Sequence, residues 1–137
     1  REKVEEYMTH WAEVIDDLII ARQGCCIGSD EDFTRICNKI GYPPIALVSH
    51  PPVKTEYLSI RAQTLSHYVR RARGYLSRDR DIVDASDLLI ATPAEHEDTV
   101  GPNRRRTSGT WYTITYAQSH VTPVYIVYPD GSVKEPA

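Results

Sequence analysis

Three loop segments carry residue types suited to holding a phosphate or a ribose. The first is Thr107-Ser108-Gly109-Thr110. A glycine there lets backbone N–H groups approach an anion closely, and the hydroxyls of Ser108 and Thr110 add donors. A plain helix cap explains the same residues. The second is Gly24-Cys25-Cys26-Ile27-Gly28-Ser29-Asp30. No Gly-Lys-Ser/Thr follows it, so it is not a P-loop, and it lacks the Gly-x-Gly-x-x-Gly dinucleotide fingerprint. A simple turn explains it equally well. The third is His50-Pro51-Pro52, a rigid turn whose histidine suits a ligand contact or a general base, or a purely structural role.

Around these loops stand charges that could act on a ligand. Arg78 and Arg80 suit bidentate phosphate contacts, or they continue a solvated basic face with Arg70, Arg71 and Arg73. Arg104-Arg105-Arg106 read as a solvated loop. Asp30, Asp81 and Asp87 are the carboxylates available for acid–base work, and Asp30 is the choice for an enzyme because it adjoins a ligand loop. His10, His67, His96 and His120 form no metal spacing, and Cys25, Cys26 and Cys37 contain no Cys-x-x-Cys pair. Neither a metal site, a disulfide framework nor a cofactor is expected.

The elements that position these loops follow from periodicity. Val4, Met8, Trp11, Val14, Ile15 and Leu18 recur at helical spacing and predict a helix over 1–18, with 18–21 either extending it or beginning a strand. Phe33, Ile36, Cys37 and Ile40 predict a second helix entered from the Gly24–Asp30 loop and stopped at Gly41. Ile45–Val48 reads as a buried strand, 55–75 as helical, and 78–85 as a short helix with Ile82, Val83 and Ala85 inward. Leu88–Ala91 is a buried strand that runs into Thr92-Pro93, and 95–106 is a mobile loop. Residues 107–120 have strand-like composition but place Trp111, Ile114, Ala117 and Val121 on one helical face. Val124–Val127 must be joined to Leu88–Ala91 by a crossover, so helix is chosen. The expected fold is a single α/β domain, Rossmann-like, with a mainly parallel sheet and helices on both faces. Ligands of such folds bind outside the carboxyl ends of the strands, where all three loops and Pro93 fall.

Bulk properties set limits. The chain has 137 residues, 41% apolar and 26% charged, with a formal charge of -3. This is the composition of one ordinary globular domain. No global charge favours a polyanion, so nucleic acid is not expected as a partner. The odd, partly adjacent cysteines suit a reducing cytoplasm, and the apolar runs are too short to span a bilayer.

The order of motifs resembles one branch of the SLOG superfamily. The Gly24–Asp30 loop is similar to its glycine–cysteine–aspartate loop, and His50-Pro51-Pro52 follows one strand later, as it does there. The run 78–91 (Arg-Asp-Arg-Asp-Ile-Val-Asp-Ala-Ser-Asp-Leu-Leu-Ile-Ala) is similar to its helix and strand. Ser108-Gly109-Thr110-Trp111, Tyr116-Ala117 and Pro123-Val124 resemble its ending. That superfamily is Rossmann-like and includes the LOG phosphoribohydrolases, the DNA-processing protein DprA and nucleotide-sensing domains. The resemblance implies a homodimer with a nucleotide bound among Gly24, Cys26, Gly28, Asp30, His50, Pro51, Arg78, Arg80, Pro93, Ser108, Gly109, Thr110 and Thr113. It also implies a strand and glycine-rich turn ahead of the first helix, whereas this sequence opens in a helix.

Thr113 stands where the hydrolases carry a glutamate that works on the ribose. Threonine cannot carry that charge or take a proton near neutral pH. The expected function is therefore binding of an ADP-ribose-like ligand or mononucleotide without catalysis. N-glycosidic hydrolysis or transfer through Asp30 is the alternative, and binding of single-stranded DNA ranks third.

Overall fold

The computed structural model describes residues 2–15, 18–40, 45–97 and 109–136. The chain forms an α/β structure of two compact units, 1–74 and 75–137.

The first unit runs α1 (Glu2–Val14), β1 (Ile19–Gln23), α2 (Ser29–Ile40), β2 (Ile45–Ser49), α3 (Ile60–Leu65) and β3 (Tyr68–Val69). Its three strands are all parallel and lie in the order β1-β2-β3. Ile19 lies opposite Ile45 and Gln23 opposite Ser49, so both strands end together beside the Gly24 loop and His50. The central strand β2 buries Ile45, Leu47, Val48 and Ser49, as expected for a parallel strand covered on both faces.

On α1 the buried stripe is Val4, Met8 and Ala12, four residues apart, packed toward α2. An exposed Glu5–Lys39 pair at 2.9 Å also joins the two helices. The expected stripe was wider and longer. The helix ends at Val14, Val14, Ile15 and Leu18 are exposed, and residues 19–23 form a strand. An apolar spacing says which face can be buried, while the neighbouring helix decides how much of it is.

The helix expected over 55–75 reduces to α3. Ser59 caps it, its hydroxyl accepting from Ala62 N at 3.0 Å, and Ser66 closes it with its N–H on Gln63 O. Beyond Ser66 the backbone pairs with β2 instead: His67 N donates to Leu47 O at 2.9 Å and Arg70 N to Ser49 O at 2.8 Å. The open side of β2 supplied the partners that let the strand-favouring pair Tyr68-Val69 leave the helix.

The second unit runs α4 (Tyr75–Asp84), β4 (Leu89–Ala91), α5 (Gly109–Ser119), β5 (Val124–Val127) and β6 (Val133–Lys134). β4 and β5 are parallel, with α5 between them in sequence, as the crossover argument required. β6 returns antiparallel to β5 through a turn at Tyr128–Ser132, so this sheet is mixed rather than wholly parallel. The core gathers Val83, Ala91, Trp111, Ile114, Ala117, Val124, Ile126 and Tyr128. Trp111, Ile114 and Ala117 are the expected α5 face. Val121 is not on it: it sits past the helix end and is 89% exposed. Of the residues expected inward over 78–85, Val83 is buried, Ile82 is half-buried, and Ala85, one residue past the end of α4, is exposed.

Candidate functional site

In the first unit the candidate residues gather where β1 and β2 end. Gln23 organises this end. Its Nε2 donates to Ser49 Oγ at 2.6 Å and Ser66 Oγ at 3.3 Å, and its Oε1 accepts from the Cys25 backbone N–H. Ser49 and Ser66 hydroxyls also meet each other at 2.6 Å. Gln23 and Ser49 are both buried, so the amide satisfies groups that water cannot reach. Cys25 is fully buried and holds φ 59, a left-handed conformation unusual for a residue with a Cβ. Its thiol donates to Ser59 O and its carbonyl accepts from Ser59 N at 2.9 Å, so α3 clamps it in that shape. Gly28 has φ 95 with open space around it, so its glycine is required by the backbone rather than by crowding.

The Gly24–Asp30 loop feeds a helix N-terminus, as expected. Asp30 is tied into it: Oδ2 accepts from Cys26 N at 3.1 Å. Glu31 accepts from Ser59 Oγ at 2.7 Å and pairs with Arg35 at 2.9 Å. With Asp32, three carboxylates crowd the first turn of α2. They oppose the positive end of the helix dipole, so this N-terminus favours hydroxyl donors over a phosphate. Cys26 is half-buried, its Sγ toward Gly24 O at 3.6 Å. Burial pushes the Cys37 thiol up to about 12, which makes it an inert core residue.

His50 is 4% exposed and Pro51 is buried, with His50 N donating to Gln23 O at 2.8 Å. His50 Nε2 stands 3.1 Å from Nη1 of Arg22. A guanidinium only donates, so Nε2 accepts and the ring proton belongs on Nδ1. Arg22 was not among the expected site residues. Its only sequence signal is its place at the carboxyl end of a strand.

In the second unit Arg78 and Arg80 separate in role. Arg78 is buried, its Nε 2.9 Å from Asp79 Oδ1 and its guanidinium 5.5 Å from the Tyr75 ring centroid. Arg80 Nη1 donates to Tyr112 Oη at 3.0 Å, a bond that raises its pKa and keeps it charged. One turn on, Tyr116 Oη donates to Asp84 at 2.8 Å, which raises the tyrosine pKa. These two bonds join α4 to α5, so Arg80 braces the first turn of α5 through Tyr112.

Gly109 opens α5, exposed, with nothing within 4 Å of where a Cβ would stand. Thr110 follows it, half-buried. Unlike α2, this first turn has no carboxylate. Thr113 Oγ1 donates to Gly109 O at 2.9 Å. Pro93 is buried just after β4. Glu95 O accepts from Trp111 Nε1 at 3.0 Å, and Glu97 from Tyr128 Oη at 2.9 Å, which anchors the segment after Pro93. Thr107 and Ser108, and the expected mobile loop from 98 onward, lie outside the described residues.

No family model matches the chain, and no curated protein and no solved structure matches it. Among the described residues no group of His, Cys, Asp or Glu could hold a metal ion, and no helix is long and apolar enough to cross a membrane.

Proposed function

We propose that this chain is a Rossmann-like domain of the SLOG type that binds a nucleotide or nucleotide-derived signal, of ADP-ribose or mononucleotide kind, without turning it over. The observation that carries the reading is the entrance to α5. A parallel strand, β4, precedes an 11-residue helix whose first residue is a glycine with open space above it and whose first turn carries no acid. Such a helix start offers free N–H groups and a positive dipole end to a phosphate. Thr113, held to Gly109 O, supplies no base for hydrolysis.

Gly109→Val tests this. Among the described residues nothing lies within 4 Å of the added Cβ, so the fold should survive, yet the branched side chain fills the space a phosphate needs. In a thermal-shift series with AMP, ADP and ADP-ribose, the parent chain should gain about 2.7 kcal/mol at a hundredfold excess over Kd, and the variant should gain little. Undiminished affinity in a folded Gly109→Val variant rejects the phosphate turn.

A further inference from the structure

We propose that Arg22 and His50 form an anion site in the first unit, built to hold a phosphate group by residues other than those of the Gly109 turn. Arg22 lies one residue from the end of β1 and is half-buried. Among the described residues it makes no ion pair with any carboxylate. Its side-chain partner is a neutral nitrogen, His50 Nε2 at 3.1 Å. A half-buried cation normally finds a carboxylate, because partial desolvation costs free energy that an anion must offset. An imidazole lone pair orients a guanidinium without neutralising it, which leaves the charge for something else.

The surroundings favour a ligand in that role. Strand alternation puts Arg22 on the face of β1 opposite buried Gln23 and on the same face as Ile20, which is 53% exposed. On that face β1 is open to solvent at Ile20, while Val48 of β2 is buried beside Arg22. The carboxyl end of a parallel sheet is where such folds take ligands. His50 is itself 4% exposed and held by Gln23 O, so it is a positioning residue: it fixes the fork of Arg22 and does not meet the ligand. A planar fork held from one side leaves its remaining N–H donors for two oxygens of one phosphate, which a lysine could not match.

The test uses the 137-residue chain, with inorganic pyrophosphate and AMP titrated by calorimetry. Arg22→Gln should weaken the Arg22-dependent anion about tenfold or more, as expected for loss of a charged hydrogen bond. Arg22→Lys retains the charge but loses the fork, and should weaken it several-fold; it serves if the glutamine variant does not fold. His50→Gln keeps an acceptor and should bind nearly as the parent, whereas His50→Leu should fall toward Arg22→Gln. That split separates positioning from a merely structural role. Gly109→Val should leave this site unchanged. Dependence of both ligands on Arg22 supports a phosphate site open to either source. Dependence of pyrophosphate alone supports the site while removing the nucleotide from it. No binding of either probe to the parent chain, or equal binding to a folded Arg22→Gln variant, overturns the proposal.

Discussion

Val121→Gly should stabilise the protein, and the size of the gain can be worked out. Val121 holds φ 61, left-handed, directly after α5. The hydrogen bonds there define a Schellman end: Thr122 N donates to Ala117 O at 2.9 Å and Val121 N to Gln118 O at 3.3 Å. The position calls for glycine, yet a β-branched residue occupies it. Its left-handed conformation costs about 1–2 kcal/mol. At 89% exposure the side chain returns almost no packing. Glycine recovers that cost and loses about 0.5–1 kcal/mol through its freer unfolded chain, for a net gain of about 0.5–1 kcal/mol. Unfolding entropy of roughly 2.1 cal/mol/K per residue, over 137 residues, makes this about 2–4 °C in Tm. Differential scanning calorimetry of the parent, Val121→Ala and Val121→Gly gives the readout. Alanine keeps the Cβ but loses the branch, so it should lie between the other two. A glycine variant that melts at or below the parent refutes the assignment of strain to Val121.

Two other outcomes follow from the geometry. Gln23→Leu conserves volume but strands the buried Cys25 N–H and removes a donor from Ser49 and Ser66, so denaturant unfolding should show a loss of about 2–4 kcal/mol. A loss under about 0.5 kcal/mol would contradict the role given to that amide. Asp130 caps the β5–β6 turn, accepting from Ser132 Oγ at 2.6 Å and Ser132 N at 2.9 Å, and these bonds lower its pKa. Its contribution is present above the ordinary aspartate value of about 3.9 and is lost as pH falls through the lowered value. A carboxyl chemical-shift titration should therefore find its midpoint below the usual range and, in Ser132→Ala, move it upward; a midpoint at or above the usual value would count against the cap.

Much of this molecule was legible in the residues. The spacing of Phe33, Ile36 and Cys37 gave α2, the run at 45–48 gave β2, and the need for a crossover between two apolar runs turned 107–120 from strand to helix. Those signals are local, or depend only on connectivity. The sequence also marked both strand ends where the Gly24 and His50 loops sit, because glycine and proline punctuate the chain there.

What the residues could not show depended on partners distant in sequence. The stretch after Ser66 became β3 because Leu47 and Ser49 offered backbone groups to it, and the strand-favouring pair Tyr68-Val69 is too short to announce that by itself. His50 had the residue type of a ligand contact, yet it is buried and bound to Arg22, a side chain 28 positions away. Asp30 had the type of a catalytic base, yet its carboxylate holds Cys26 N. Residue types thus determined which groups could bind an anion. Tertiary structure decided which of them were spent on the fold, because every buried donor and acceptor must first find a partner.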